Sequence, residues 1–325
     1  MNNDAKLRPL YLARILYERT DEDNYLTTAQ LIEILEKEYD IKTHRQTIPS
    51  DIDILRAFGM DIQEVMSAQK RYNLISREYD IAELKLMIDA VESSKFITKK
   101  KSEKLVSKLS KMAGRNQAEN LKRNISVEDR IKYDNESIFL IIDGINEAIN
   151  TGKKVSFLYF KYDVRKEQKL RNEGEPFIFS PHRLVWNGDF YYMVGVFDDS
   201  SQVGVFRLDR ILKRPEILEE NALPLPDTFD FHKYLNTSFR MYGTDHTKVG
   251  LICSNEAIDS ILDKFGKDTI IYTYDDKSFR TEVDVAISNV FFSWIFGFSG
   301  AVVINSPAEV KEQYRAMVHK VSEGL

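Results

Sequence analysis

Apolar residues recur every three to four positions between Leu7 and Arg19, which predicts an amphipathic helix. Thr27, with Gln30 three residues on, has the pattern of a capping box that opens a second helix. The same pattern returns at Thr43 and Gln46, ahead of a further apolar face. The N-terminal region therefore reads as three short helices, the last two joined by a tight turn.

Pro49 leaves the start of the third helix open. A start after Thr43 puts Pro49 in the second turn, where it removes a backbone hydrogen bond at a cost of about 3 kcal/mol. A start at Thr47 puts it in the first turn, where proline is tolerated, but leaves His44 and Arg45 on the preceding turn. We favour a short helix, which would be kinked if it starts after Thr43. The position of the helix start decides whether Arg45 reads bases or phosphates.

Two strand patterns follow, Ile62 to Val65 and Arg71 to Ile75, and they predict a hairpin with basic residues near its tip. Two helices and a tight turn, with polar and basic residues at the start of the second helix, describe a helix-turn-helix. The run from Thr43 to Leu55 is similar to the third helix of DeoR-type winged helix-turn-helix regulators, with their Arg-x-Thr-Ile-x-x-Asp-Ile pattern. The resemblance implies duplex DNA binding, with arginine suited to guanine and glutamine to adenine. The candidate DNA-binding residues are Lys42, Thr43, His44, Arg45, Gln46, Thr47, Ser50, Lys70 and Arg71.

The stretch from Ser180 to Ile211 predicts a three-strand antiparallel meander, with turn signals at Asn187-Gly188 and at residues 198–202. Its middle strand carries Tyr191-Tyr192-Met193, and its last strand carries Phe206-Arg207-Leu208-Asp209-Arg210. These two motifs resemble the WYL domain of bacterial transcription factors, with Tyr and Met where the family's name-giving run has Trp and Leu. The resemblance implies an effector that is a nucleotide or a single-stranded nucleic acid.

Cations beside aromatic rings suit such a phosphate-bearing ligand. The candidate ligand-binding residues are His182, Arg183, Tyr191, Tyr192, Arg207 and Arg210. Strand alternation puts Arg207 and Phe206 on opposite faces, so Arg207 and Arg210 converge only if the strand bends or ends between them. Arg210 has a structural alternative, an ion pair with Asp209 or Asp198.

Helical patterns at Asp80–Val91 and Ser102–Met112 predict a linker, and residues 80–98 resemble the interdomain segment of Firmicutes-type WYL regulators. Such helices favour a homodimer, with packing inside one chain as the alternative. Ten charged side chains lie between Lys95 and Arg123, and eight of them are basic. The basic ones are Lys99, Lys100, Lys101, Lys104, Lys108, Lys111, Arg115 and Lys122, and the acidic ones are Glu103 and Glu119. This basic stripe either holds phosphates or is a solvated helix face.

A helix at Ser137–Asn150 followed by about five short strands fits the Sm-like or SH3-like β-barrel that the resemblance implies. After a connector with a short predicted helix at Phe229–Tyr234, residues 248–325 alternate strands and helices and resemble the C-terminal extension found after WYL domains. The expected fold class is α+β multidomain. The expected segments are a winged helix-turn-helix (1–76), a helical linker (77–136), a WYL sensor (137–213), a connector (214–246) and the extension (247–325).

Composition limits the remaining possibilities. The net charge of −5 argues against a uniformly basic surface that coats nucleic acid. The sequence contains no apolar run of about 18 residues, so no membrane span is predicted. The N-terminus has no apolar core like that of a secretory signal. A single cysteine, Cys253, lies in an apolar run typical of a core strand and favours the reducing cytoplasm.

The sequence thus predicts a transcriptional regulator that binds a palindromic duplex operator as a homodimer and responds to its effector. No cofactor, metal site, catalytic residue or membrane contact is predicted. One alternative is a metal-dependent enzyme acting on nucleic acid, for which Asp51 and Asp53 are the only candidate ligands. Another is a constitutive repressor or RNA-binding adaptor whose barrel contacts only protein.

Overall fold

The computed structural model describes residues 4–66, 69–123, 132, 135–200, 202–231, 234 and 246–324. The chain divides into two compact units, residues 1–136 and 137–325. Among the described residues, no helix combines the length and the apolar character needed to span a bilayer.

The first unit begins with three helices and a small antiparallel sheet. The helices are α1 (Asp4–Arg19), α2 (Thr28–Tyr39) and α3 (Thr47–Ala57), and the strands are β1 (Leu26–Thr27), β2 (Ile62–Met66) and β3 (Lys70–Leu74). The sheet order is β1-β3-β2, so β2 and β3 form the expected hairpin. The apolar faces meet in one core, which includes Leu12, Leu16, Leu31, Leu35, Ile48, Ile52 and Tyr72.

The two predicted capping boxes have different outcomes. Thr27 caps α2, and the reciprocal bond from Gln30 is present, as predicted. The cap predicted at Thr43 is wrong, because α3 begins at Thr47 with Gln46 as its N-cap residue. The delay has a physical reason: it places Pro49 in the first turn, where its missing N–H would have no partner in any case.

Three further helices follow in the described part of the first unit: α4 (Ile81–Ser93), α5 (Lys99–Ser110) and α6 (Arg115–Arg123). They share a small core built around Leu84, Ile88 and Val106. Arg77 fixes this group to α1, because its Nη2 donates to the carbonyl oxygens of Tyr17 and Thr20, both at 2.7 Å. The predicted linker helices are thus present, and part of their apolar surface is covered within the chain.

The second unit opens with α7 (Ile138–Thr151) and a five-stranded antiparallel sheet of order β10-β4-β7-β8-β9. Its strands are β4 (Lys153–Phe157), β7 (Phe177–Asn187), β8 (Phe190–Phe197), β9 (Val203–Arg207) and β10 (Glu216–Asn221). A separate hairpin pairs β5 (Phe160–Tyr162) with β6 (Gln168–Leu170).

The expected closed barrel is not seen in the part of the chain that the structure describes. Strands β9 and β10 form the two edges of the sheet, and no ladder joins them there. The chain leaves β9 in a 3-10 turn, Leu208–Arg210, and only an isolated bridge between Tyr159 and Ile211 follows before β10. Because the turn takes the chain out of the sheet at this point, the sheet stays open.

The remaining elements follow the order β-α-β-β-α-β and a terminal helix, as predicted for residues 248–325. They are β11 (His246–Ser254), α8 (Ile258–Phe265), β12 (Ile271–Asp275), β13 (Ser278–Ala286), α9 (Asn289–Phe296), β14 (Val302–Ser306) and α10 (Ala308–Ser322). The sheet order is β12-β13-β11-β14. Cys253 is fully buried, and Phe291 and Ile295 lie in the same core. The helix predicted at Phe229–Tyr234 falls partly outside the described residues.

Candidate functional site

Two arginines converge on one carboxylate where β9 ends. Arg207 donates from Nε to Asp209 Oδ1 (3.1 Å) and from Nη2 to Oδ2 (2.7 Å). Arg210 Nε lies 3.7 Å from the same Oδ2. The Asp209 side chain is 1% exposed, whereas those of Arg207 and Arg210 are 21% and 19% exposed. Convergence requires the strand to bend or end between the arginines, and the 3-10 turn ends it there.

Aromatic rings flank both cations. The Arg207 guanidinium carbon lies 3.4 Å from the centre of the Phe190 ring, and that of Arg210 lies 4.6 Å from the centre of the Tyr162 ring. The Tyr159 hydroxyl accepts a hydrogen bond from the Arg207 backbone N–H (3.3 Å), and burial raises the pKa of this tyrosine, which keeps its hydroxyl protonated. The cluster holds two positive charges and one negative charge between rings, an arrangement suited to an anion that carries a flat group.

The two candidate tyrosines lie on opposite faces of the sheet. Tyr192 is the cross-strand partner of Arg207 and shares its face, whereas Tyr191 pairs with Trp186 and points the other way. Tyr192 is buried in a cluster with Val194, Phe231 and Tyr234. Burial raises the pKa of Tyr191. Only Tyr192 therefore belongs beside the arginine cluster.

His182 and Arg183 contact the segment that follows β10. Arg183 is exposed, and its guanidinium carbon lies 4.4 Å from the centre of the Phe231 ring. His182 Nε2 donates to the Leu223 carbonyl oxygen at 2.7 Å. Arg183 is opposite Val194 in the ladder and so shares the face of Tyr192 and Arg207, one row further along. His182 is engaged by backbone instead.

In the first unit, the candidate DNA-binding residues around the start of α3 are mostly exposed. The exposed ones are Lys42, His44, Arg45, Gln46 and Ser50. Thr47 is half-buried, and the Thr43 hydroxyl is buried without a hydrogen-bond partner among the described residues. The opposite face of α3 buries Ile48, Ile52 and Leu55, so the sequence divides this helix into a core side and an open side.

The two basic residues of the hairpin already have neighbours. Lys70 Nζ lies 2.7 Å from Glu64 Oε1, and this contact raises the pKa of the lysine. Arg71 donates to the Tyr25 hydroxyl, and its guanidinium carbon lies 4.4 Å from the centre of the Tyr25 ring. Both could contact phosphate only by sharing or exchanging these partners.

The candidate metal ligands Asp51 and Asp53 are held by arginines. Arg8 binds the buried Asp51 through Nε (2.5 Å) and Nη2 (3.1 Å), and Arg56 Nη1 lies 3.2 Å from Asp53 Oδ1. Across the described ranges, no group of three or more His, Cys, Asp or Glu side chains is placed to hold a metal ion.

Comparison with known families identifies two domains in the second unit. The WYL domain model matches residues 141–215, which include the whole arginine cluster. The chain contains a WYL domain. The WCX domain model matches residues 245–322, which correspond to the elements β11 to α10. The resemblances drawn from Tyr191-Tyr192-Met193 and from the C-terminal pattern are thereby confirmed.

Similar solved structures are distant. Proteasome accessory factor B/C (PafBC) of Arthrobacter aurescens is 15% identical with a TM-score of 0.31, and the match covers 97% of this chain and 47% of PafBC. A CRISPR Cas-related protein is 13% identical with a TM-score of 0.37, covering 99% of this chain and 84% of that one. The chain thus spans about half the length of PafBC, and TM-scores this low carry no argument about function. No curated protein matches the chain.

Within the WYL domain, sequence reasoning missed the central part played by Asp209 and the rings of Phe190, Tyr162 and Phe231. The sequence indicates Asp209 only as a candidate partner of Arg210, yet Asp209 binds Arg207 most closely. The other suggested partner, Asp198, pairs with Lys154 at 2.5 Å instead. The Arg-x-Asp-Arg spacing held a signal for Asp209, because one turn brings all three side chains together. Nothing local could have indicated Phe231, which lies more than twenty residues further along the chain.

Proposed function

We propose that this chain is a transcriptional regulator, with residues 1–76 acting as a winged helix-turn-helix and the WYL domain sensing an effector. The observation that carries DNA binding is the division of α3 into two sides. Ile48 and Ile52 pack into the core, while Arg45, Gln46 and Ser50 are exposed at the helix start. A recognition helix needs this arrangement, because its first residues must reach base edges while its other side is held rigidly.

The start of α3 at Thr47 divides the tasks between neighbouring residues. Arg45 lies on the turn before the helix and is proposed to contact phosphate, whereas Gln46 and Ser50 face the bases. Arg45→Ala should then weaken binding about equally on all sequences and lower the salt slope by about 1. Gln46→Ala should relax the preference at one base pair, at a cost of about 1–3 kcal/mol on the preferred site.

The test begins with selection of duplex sites from a random pool by the full chain. A palindromic site with half-sites a helical turn or a multiple of it apart would support both the operator and the proposed homodimer. Affinities of the selected site for wild type, Arg45→Ala and Gln46→Ala then check the roles above, with Lys37→Ala on α2 as a control, because Lys37 is paired with Glu33. Absence of any enriched site would refute DNA recognition.

For the WYL domain we propose a nucleotide or a single-stranded nucleic acid as the effector. Arg207 and Arg210 share one carboxylate, so the cluster keeps a net positive charge, and Tyr162 and Phe190 supply ring faces. An anion that draws either arginine from Asp209 would change the turn after β9. The effector can shift the protein between the turn with and without the Asp209 contact only if it binds these two arrangements with different affinity. DNA binding responds only through such a shift.

Binding of a labelled eight-nucleotide single strand and of cyclic nucleotides should be compared for wild type, Arg207→Ala and Arg210→Ala. Arg214→Ala is the matched control, since Arg214 is also a WYL-domain arginine but pairs with Glu147 on the surface. Unchanged affinity in the first two variants would rule out the cluster. Operator binding that responds to none of these ligands would favour a constitutive repressor or adaptor.

We propose no enzymatic activity and a cytoplasmic location. The metal-dependent alternative relied on Asp51, whose carboxylate is occupied by Arg8. A nuclease assay with Mg²⁺ or Mn²⁺ tests this directly, and metal-dependent cleavage abolished by Asp51→Asn would overturn the proposal.

A further inference from the structure

A stripe of lysines runs along α5. Lys100, Lys104 and Lys108 follow one another at intervals of four, and Lys111 comes directly after the helix. At 100° per residue these positions lie within about 80° of one another around the helix axis. All four side chains are exposed, and none of them makes an ion pair among the described residues. We call Lys100, Lys104, Lys108 and Lys111 the lysine stripe.

The rest of α5 argues that the lysine stripe serves a polyanion. Its other side buries Ser102, Val106 and Ser110 against neighbouring helices, so no apolar face remains for insertion into a membrane surface. Its first turn contains three lysines and no acidic residue. Cations at the positive end of a helix, and like charges four residues apart, both oppose helix stability. A face that needed only to be solvated would gain from glutamates there.

The lysine stripe belongs to the same unit as α3, and α1 connects the two. Near its start, α1 binds α3 through Arg8 and Asp51. Near its end, the Tyr17 hydroxyl donates to the carbonyl oxygen of Met112, just beyond the lysine stripe (3.1 Å). Arg8 and Tyr17 are nine positions apart on the helix, which is about 14 Å, and the lysine stripe itself is about 16 Å long. Both lengths are well below one turn of duplex, about 34 Å.

We infer that the lysine stripe binds the sugar-phosphate backbone of duplex DNA beside the site read by α3. The contact is independent of sequence, because ammonium groups on flexible stems act on phosphates as point charges. It rests on the proposed DNA-binding function and extends it to the flanking DNA. Since B-DNA carries one phosphate charge per about 1.7 Å of axis, a stripe of this length faces several phosphates at once.

The experiment measures affinity for a 36-base-pair random-sequence duplex between 50 and 200 mM salt. The test variant combines Lys100→Gln, Lys104→Gln and Lys108→Gln. Each phosphate contact contributes about 0.9 to the slope of log affinity against log salt, so the slope should fall by about 2.7. Wild type should therefore lose roughly 40-fold more affinity than the variant over this range. The variant's melting temperature should be unchanged or higher, because repulsion has been removed.

The matched control combines Lys267→Gln, Lys277→Gln and Lys320→Gln, three exposed lysines of the WCX domain with the same total charge change. An equal fall in slope for this control would show a net-charge effect and overturn the inference. If the test variant keeps the wild-type salt slope while Arg45→Ala still weakens binding, the inferred role of the lysine stripe is overturned and the proposed function stands. The inference would also be overturned if the test variant kept the wild-type salt slope on duplex but lost binding to single-stranded nucleic acid. Wild type that binds no duplex would refute the proposed function itself.

Discussion

Asp209 and Arg207 form a two-bonded ion pair in which the carboxylate is almost wholly buried and the guanidinium is about one-fifth exposed. Removal of the carboxylate charge leaves Arg207 and Arg210 facing each other without compensation. Asp209→Asn should therefore destabilise the WYL domain by about 3 kcal/mol, the lower end of the range for buried pairs, since the arginines retain some solvent. Urea unfolding gives the value.

The control for that measurement is Asp198→Asn, which removes the half-exposed partner of Lys154. Its cost should stay below about 1 kcal/mol. Equal losses in both variants would show that burial of Asp209 adds nothing to the pair.

Cys253 should make stability depend on pH in the alkaline range. Burial raises the pKa of its thiol from 9 to about 11. Above pH 9 the unfolded chain loses this proton while the folded chain keeps it, so stability falls as pH rises and the fall ends near pH 11. The loss is about 2–3 kcal/mol. The difference in unfolding free energy between wild type and Cys253→Ala, followed from pH 8 to 11, isolates it; a constant difference would contradict the prediction.

Gly204 should not accept a side chain. It faces Gly195 across the β8–β9 ladder, and a Cβ atom there would lie 2.1 Å from the ring of Phe197. That ring cannot retreat easily, because it contacts Phe206 within the aromatic core. Gly204→Ala should cost about 1–3 kcal/mol. Gly324→Ala, whose Cβ would meet only ordinary contacts, is the control for thermal unfolding.

Pro49 should be replaceable. It lies in the first turn of α3, where the backbone N–H has no intrahelical acceptor, so Pro49→Ala restores no hydrogen bond. We expect a loss of about 1 kcal/mol or less, from the greater freedom of the unfolded chain, with DNA affinity unchanged. Ile52→Ala, one turn later and fully buried, should cost about 2–5 kcal/mol. A gain of about 3 kcal/mol from Pro49→Ala would show that the proline interrupts the helix.

Local patterns predicted the elements better than their assembly. Thr27 and Gln30 form the capping box that their spacing indicates, because all the interacting atoms lie within one turn. Thr43 and Gln46 have the same spacing and fail, since Pro49 is incompatible with a helix that starts so early. The pattern alone does not weigh these two preferences against each other.

The candidate site was predictable to the extent that strand alternation determines it. Alternation separates Arg207 from Phe206, and the ladder agrees. The same rule applied to the neighbouring strand would have separated Tyr191 from Tyr192, which are both among the candidate ligand-binding residues. Alternation does not show where β9 ends, and that end brings Arg207 and Arg210 to Asp209. The closed barrel failed for a related reason, because closure depends on hydrogen bonds between β9 and β10 rather than on the pattern within either strand.

Arg77 attaches the segment before α4 to the end of α1 and to Met112, just beyond α5. The Arg77 guanidinium is half-buried, and this burial lowers its pKa. The guanidinium binds two carbonyl oxygens at the end of α1, and its Nη1 lies 3.4 Å from the carbonyl oxygen of Met112. Helices α4 and α5 are therefore not a loose tether. Through Arg77, the segment that leads into α4 is held to the end of α1, and α1 in turn binds α3 through Arg8 and Asp51.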